Sequence, residues 1–509
     1  MLNANPKTAP RQTDILNDNG TQSVKLSLKP KVHPVVAAFL KREDALLDMV
    51  DAYGSPLNVI FPEIVRENIQ SFQDVYTRNN IQGRIYFTTK PTKSQSVIKE
   101  AALCDVGVDV SSYNALKTTM GCGFAAERIE CTGPKNKEYL TLALQQNVTI
   151  NIDNFDEFDQ ILAIRKVLNK REKTRIFMRV TGFESARLKF TSQDGTFGMH
   201  LKHAPQIIEK LKAHSDDFDF QGFSYHFVAM APEQRIVALE NILQLSIDAM
   251  KQGLDIKGIN IGGGFDIQYA QSRQDWLGYI DKIKDSLRHY GQPVTWNNGG
   301  LGYRNEGGVI KGAPAFMDHA KALTGAQEFE NLIQTPLPSF GNMAMADVLN
   351  DCLLELYIEP GRAMVDGLGI TIGRVNFRKE STHGETLVGL DMNRSNMHST
   401  HQKLLTDPVV IHRSKDRKPC ENGLYYVGNL CLSYDMITYN KTFPALTPEA
   451  DDLVIFINTA AYIMDFVESE TLYQNTAAKV AVIQQGEAFR TFKDDTYNPI
   501  THKALRGAL

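Results

Sequence analysis

The sequence predicts an α/β chain: a (β/α)8 TIM barrel followed by a separate C-terminal β domain, a sandwich or small barrel. Three observations carry that expectation. Eight short apolar runs between residues 84 and 362 alternate with segments whose apolar residues recur at helical spacing. The residues with the most chemical character stand at the C-terminal ends of those runs, the face on which such barrels do their chemistry. Past Arg362 the alternation stops and only strand-like runs follow.

Taken in order, residues 1–31 are polar and mixed, which predicts a disordered lead-in. Residues 32–75 form a strand and helix segment joining the two domains. Within it LNVIFPEIVRENIQSF reads as a short strand, then a helix with Ile64, Val65, Ile69 and Phe72 on one face. The barrel occupies 76–362, with strands expected at 84–90, 107–112, 128–134, 149–154, 175–182, 220–227, 258–265 and 354–362. Helical patterns separate most of them, such as 233–251 with Ile236, Ala238, Leu239, Ile242 and Leu243. The β domain, 363–509, has strand runs at 371–379, 385–392, 408–412, 423–431, 452–462 and 479–484.

Composition narrows the partners. The 509 residues are 42% apolar with a formal net charge of −4, enough for a large core and no basic field for nucleic acid. A small-molecule partner is expected. Six cysteines without paired CxxC spacing suggest neither zinc nor disulfides and fit a reducing cytoplasm, and no run approaches a membrane span. No metal is expected: His398 and His401 are spaced like a ligand pair but have no third partner in the sequence.

Lys90, Asp109, Arg179, His226, Gly262, Gly263, Gly264, Glu359 and Arg362 all fall at or just past strand ends, so one pocket can hold them. A phosphorylated, electron-poor ring bearing an aldehyde would use the set. Lys90 would form the imine, the three glycines would turn backbone N–H groups toward phosphate, and Arg362 would add a charge-assisted fork. Glu359 would keep the ring nitrogen protonated, making the ring an electron sink, and His226 would pack flat against it. The cofactor asked for is pyridoxal 5′-phosphate, PLP.

The passages FTTKPT, GVDVSS, RIECTGPKN, GFSYHF, INIGGGF, IEPGR, VGNLCLSYD and NTAAYIM, in that order, resemble the barrel-type (fold III) PLP-dependent decarboxylases of ornithine, arginine and diaminopimelate. The resemblance spans residues 56–484 and the chain resembles a long branch of that family. It implies the alanine racemase-like pairing of barrel and β domain, an amino-acid substrate, and a homodimer with shared active sites. It further implies that Cys431 reprotonates the carbanion left after CO2 departs, acting in the partner's site, and that Asp435 and the phosphate tyrosine Tyr462 complete that site. Asp109 and Arg179 would lie beside the ring.

Three departures bear on the substrate. The residue after the cysteine is usually acidic in diamine decarboxylases, but here it is Leu432, which cannot pair a distal ammonium. Val228 and Ala229 stand where Gly-Ser often follows the histidine, removing a hydroxyl from the phosphate shell. The segment 292–339 is extra and is expected in the loop after strand seven, as a lid or recognition flap or as an exposed decoration, with a helix over 342–354 feeding strand eight. Arg394 would favour an anionic distal group, such as an amino acid conjugated to a polycarboxylate in siderophore assembly. A PLP-dependent racemase, with Tyr434 as second base, and a non-catalytic decarboxylase-like regulator are the alternatives.

Overall fold

Short runs of β-branched and aromatic residues, buried on both faces, are what a central parallel strand requires. The computed structural model brings all eight expected runs into one closed sheet; it describes residues 27–185, 196–226, 232–397, 403–414, 416–467 and 469–501. Helices α1 (Pro34–Leu40) and α2 (Glu43–Tyr53) precede strand β1 (Leu57–Ile60) and helix α3 (Ile64–Arg78). The barrel then runs β2 (Gly83–Thr88), α4 (Gln95–Ala102), β3 (Gly107–Val110), α5 (Tyr113–Gly121), β4 (Ile129–Cys131), α6 (Lys137–Gln145), β5 (Thr149–Ile152) and α7 (Phe155–Val167). It continues through β6 (Thr174–Thr181), a two-residue β7 (Met199–His200), α8 (Ala204–Ala213), β8 (Phe218–Ser224), α9 (Pro232–Lys251) and β9 (Gly258–Asn260). Helix α10 (Arg273–Leu287), the hairpin β10 (Tyr303–Glu306) and β11 (Val309–Gly312), and helix α11 (Gly325–Ile333) follow. The short pair β12 (Pro336–Leu337) and β13 (Met343–Ala344) and helix α12 (Met345–Asp351) lead into the last barrel strand, β14 (Glu355–Ile358).

The barrel closes in the order β2, β3, β4, β5, β6, β8, β9, β14 and back to β2, with parallel pairing throughout. All eight C-terminal ends therefore share one rim. The loops that leave this rim end in helix-capping residues: Ser112, Asn136 and Asn154 accept the backbone N–H of Ala115, Tyr139 and Glu157, starting α5, α6 and α7. On the outside, α3 buries Ile64, Val65, Ile69 and Phe72, and Phe72 stacks on Phe329 of α11 at 5.8 Å.

The second domain contains β15 (Gly369–Glu380), β16 (Thr386–Leu390), β17 (Val409–Ile411), β18 (Leu424–Val427), β19 (Leu453–Ile457), β20 (Ala478–Gln485) and β21 (Ala488–Lys493). Its main path is β17, β19, β15, β1, β20, β21, so the N-terminal strand β1 sits inside it, antiparallel to β15 and parallel to β20. A bulge between Val375 and Phe377 bends β15 so that its far end pairs with β16, which pairs in turn with β18. Asp494 accepts the Gln95 N–H at 2.8 Å at the start of α4, and Asp465 accepts the Lys93 N–H at 2.8 Å. These two carboxylates fasten the segment that follows Lys90 to the β domain.

Two expectations change. Residues 27–31 are ordered rather than disordered, because Leu28 is 2% exposed among Trp276, Tyr279, Phe316 and Leu405. Its carbonyl accepts the Asp407 N–H, and Lys31 donates to the Tyr269 carbonyl. The extra segment is not a free flap. Its α11 belongs to the barrel wall, while Val294 and Trp296 exchange backbone hydrogen bonds with Lys441 and Tyr439 of the β domain. The helix before strand eight is shorter than expected.

Candidate active site

Lys90 follows the end of β2 by two residues and is exposed in the barrel mouth. Its charge and that of Arg179 on β6 both act on Asp109 of β3, on His226 after β8 and on Glu359 after β14. These five groups, expected at one face, therefore lie within electrostatic reach of one another at one end of the barrel. Asp109 is 4% exposed and accepts the Thr132 hydroxyl; burial raises its proton affinity against the pull of that bond and of Lys90. Arg179 lies 3.9 Å from Asp153 and over the Phe197 ring at 4.9 Å.

His226 accepts the Gly263 N–H at Nδ1, 3.1 Å, which leaves Nε2 to carry the ring proton. Burial, then the repulsion of Lys90 and Arg179, pushes its pKa down to about 3, so the imidazole is neutral. Gly262 has φ +65, and a Cβ there would lie 2.6 Å from His226 Nδ1 and 2.7 Å from the Tyr225 carbonyl, so only glycine fits. A Cβ on Gly263 would stand 2.3 Å from the Glu359 carbonyl. Arg235 of α9 clamps the loop by donating to the Gly263 and Gly264 carbonyls.

The expected phosphate cradle is narrower than the three glycines suggest. The Gly262 N–H goes to Asn260 Oδ1 at 2.9 Å and the Gly263 N–H to His226, so both amides are already committed. An anion here would meet the loop from Gly264 onward. Arg362 lies beside it, donating to the Tyr269 hydroxyl at 2.7 Å, with Met317 Sδ at 3.5 Å and the Tyr462 ring at 5.1 Å.

Glu359 is 8% exposed and accepts Asn260 Nδ2 at 2.8 Å. Burial and the neighbouring Asp109 anion raise its pKa to about 8, against Arg179, the Asn260 bond and Lys90. A cationic ring nitrogen placed against it would reverse that shift.

Two residues sit differently from the expectation. The resemblance puts Tyr462 in the partner's site, but its N–H donates to the Pro91 carbonyl at 3.0 Å and its ring faces Arg362 of its own subunit. The turn after β19 carries it there. Asp435 was expected to reach the partner's substrate, yet it is 4% exposed and its carboxylate accepts the Arg394 and Leu430 N–H groups at 2.8 and 2.9 Å. It therefore shapes the cysteine loop rather than projecting from it. On that loop Cys431 is exposed, Leu432 is half-buried, and the Arg394 guanidinium lies over the Tyr434 ring at 5.4 Å. Val228, Ala229, His398 and His401 lie outside the described residues, and among those described no group of three or more metal-ligating side chains gathers.

Sequence reasoning missed Asn260, Glu130, Tyr269 and Met317. Two left a signal: Asn260 in INIGGGF and Glu130 in RIECTGP are polar residues inside otherwise apolar strand runs.

The donor set fits one group. An amine, a carboxyl on the neighbouring strand, a neutral imidazole, a guanidinium with a phenol, and a glycine loop that a Cβ would fill suit PLP. The model of the pyridoxal-dependent decarboxylase, pyridoxal binding domain, matches residues 63–296. The chain is 25% identical over 486 residues to the protein y4yA of Sinorhizobium fredii, covering 94% of this chain and 99% of that one. It is 24% identical over 479 residues to a diaminopimelate decarboxylase of Bacillus subtilis, covering 90% and 92%. The diaminopimelate decarboxylase of M. jannaschii, solved with L-lysine, superposes with a TM-score of 0.64 at 16% identity, over 88% of this chain and 91% of that one. The arginine decarboxylase of Paramecium bursaria Chlorella virus gives 0.61 at 15% identity, over 86% and 100%. Residues 63–296 thus match the pyridoxal-binding domain of the PLP-dependent decarboxylases, and these likenesses together support the fold III family with PLP as cofactor.

Proposed function

We propose that this enzyme removes the α-carboxyl group of an amino acid whose far end is anionic, such as an amino acid joined to a polycarboxylate, as in siderophore assembly. The observation that carries this is the pairing of Leu432, which offers no acid to a distal ammonium, with Arg394 held over Tyr434 on the same surface as Cys431. Several relatives are named diaminopimelate decarboxylases; the far end of diaminopimelate bears an ammonium and a carboxylate, and of the two only the carboxylate would find a partner in the Arg394 guanidinium.

When bound, PLP supplies an electron sink for the pair released as the Cα–carboxylate bond breaks. The chain's own residues would do the rest. Lys90 would hold the aldehyde carbon, Glu359 would hold the proton on the ring nitrogen, and His226, neutral and locked by Gly263, would cover one face. Arg362, Tyr462 and the loop from Gly264 would hold the phosphate, with Asp109 and Arg179 beside the ring. Cys431 Sγ would deliver the proton that replaces CO2 at Cα. Cys431 is exposed, and the same domain leaves the apolar side chains of Phe466, Val467, Leu472 and Tyr473 exposed, so a second copy of the chain would cover such a surface and receive that thiol.

Turnover of ornithine, lysine, diaminopimelate and a citryl-amino acid, read by CO2 release, tests the substrate. Preference for the anionic substrates, lost about tenfold or more in Arg394→Ala, is expected. A clear preference for ornithine or lysine would refute it.

A further inference from the structure

Below Glu359 the barrel holds a second carboxyl that the chemistry above leaves unused. Glu130 on β4 is fully buried, with 0% exposure. Its Oε1 accepts Asn151 Nδ2 at 2.8 Å and Asn260 Nδ2 at 3.1 Å, and its Oε2 lies 3.2 Å from the same Asn260 nitrogen. That nitrogen also donates to Glu359 Oε1 at 2.8 Å. One amide NH2 thus bridges two carboxyl groups.

The bridge cannot be turned round. Asn260 Oδ1 accepts the Gly262 N–H at 2.9 Å, which points the NH2 end at the two acids. Asn151 is fixed the same way, since its Oδ1 accepts the Ser224 hydroxyl at 2.7 Å. A polar chain of Ser224, Asn151, Glu130, Asn260 and Glu359 therefore crosses the barrel interior with each amide orientation set by its neighbours.

Two carboxylates this close in a site shielded from water cannot both stay ionised. The surroundings decide which one keeps the proton. Glu359 faces the cations Lys90 and Arg179 across the pocket, with Asp109 the opposing anion. Around Glu130 the charged groups that bear on it are Glu359 and Asp109, both anions, and burial and these neighbours push its proton affinity far above the carboxylate range. Since Oε1 already takes two N–H groups, Oε2 has room for the proton.

We propose that Glu130 is a positioning residue: it carries the one proton of the Glu130–Asn260–Glu359 pair and so leaves Glu359 as the anion facing the cofactor's ring nitrogen. The proposal rests on the role given to Glu359 above. A neutral Glu130 still accepts the two amide N–H groups at Oε1 without adding charge beneath the pyridinium, and Asn260 holds the Glu359 carboxylate in place. An ionised Glu130 would compete with the ring nitrogen for the proton that Glu359 must not take.

The test is the infrared carbonyl stretch of the holoenzyme near neutral pH, where a protonated buried carboxyl gives a band that shifts on exchange into D2O. Wild type is expected to show such a band, Glu130→Gln to lose it and Glu359→Gln to keep it. Absence of the band from wild type, or its loss in Glu359→Gln with retention in Glu130→Gln, overturns the proposal. If Glu130→Gln does not fold, carbon-13 labelling of the glutamate carboxyls in wild type and in Glu359→Gln reports the same band by its isotope shift, and absence from either overturns the proposal. A second readout is affinity for PLP. Glutamine mimics the neutral acid, so Glu130→Gln is expected to bind PLP within about threefold of wild type with an unchanged pH profile of bound-cofactor absorbance. A change of about tenfold in affinity, or a profile displaced by about one pH unit, overturns it. A Glu359→Gln holoenzyme whose cofactor absorbs as wild type would instead overturn the role of Glu359, and the proposal with it; the E130Q infrared difference distinguishes the two failures.

Discussion

Glu359→Gln should make the apoprotein more stable at alkaline pH, although the same change damages the enzyme. A buried carboxyl with a pKa of about 8, against an ordinary value of 4.5, binds a proton in the folded chain that it has lost in the unfolded one throughout that interval. Wild-type stability is therefore fully present below about pH 4.5 and falls by about 1.4 kcal/mol per pH unit as pH rises toward 8, about 5 kcal/mol in all. Glutamine keeps the bond from Asn260 Nδ2 and has nothing to ionise. The variant should match wild type within about 1 kcal/mol at pH 5 and exceed it by up to about 5 kcal/mol at pH 8. Urea unfolding of both apoproteins across this range, followed through Trp276 and Trp296 and by circular dichroism, measures the divergence. Parallel midpoint curves, or a wild type that gains on the variant with rising pH, would refute the burial argument. With PLP bound the order should invert, since the ring cation favours the ionised acid.

Three further outcomes are expected. Leu28→Ala should lower stability by about 2 to 3 kcal/mol, seen as a shifted denaturant midpoint, because it empties a site among Trp276, Tyr279 and Phe316. Asp435→Ala should lose about 2 to 3 kcal/mol and expose the loop at 428–436 to protease while leaving PLP absorbance intact, since its carboxylate serves backbone amides. Cys431→Ala should still release CO2 but turn over about 10² to 10⁴ times more slowly, with product analysis showing misplaced protonation; wild-type partition would remove Cys431 from the mechanism.

The barrel was legible because its strands are buried on both faces and write themselves as apolar runs, and because β2, β3, β6, β8 and β14 each deliver a reactive side chain, and β9 a glycine run, at the same end. The β domain was legible as strands but not as an order. Nothing in the local text of Leu57–Ile60 says that this strand inserts between two partners near the other end of the chain. β21 went unforeseen because its faces are mostly solvated, so it lacks an apolar run. The anchoring of Leu28 could not be read from one apolar residue in a polar segment. Resemblance alone says nothing of the hydrogen bonds of Asp435 and Tyr462, which reach Arg394 and Pro91 far off in the chain. The buried pair of Glu130 and Glu359 is visible only once strands three, seven and eight are brought together.

The position of β1 also governs how the chain can be made. It leaves the ribosome early, yet Leu57 must wait for Ile372 on one side and Ala478 on the other. Until both have been synthesised, the nascent molecule carries an unpaired, mostly apolar strand next to a barrel that is already closing. Truncation from either end breaks the same sheet, so the C-terminal domain has no independent existence as a fragment. Translation pauses, chaperone engagement and interrupted synthesis should therefore weigh on this protein more than its barrel alone would suggest.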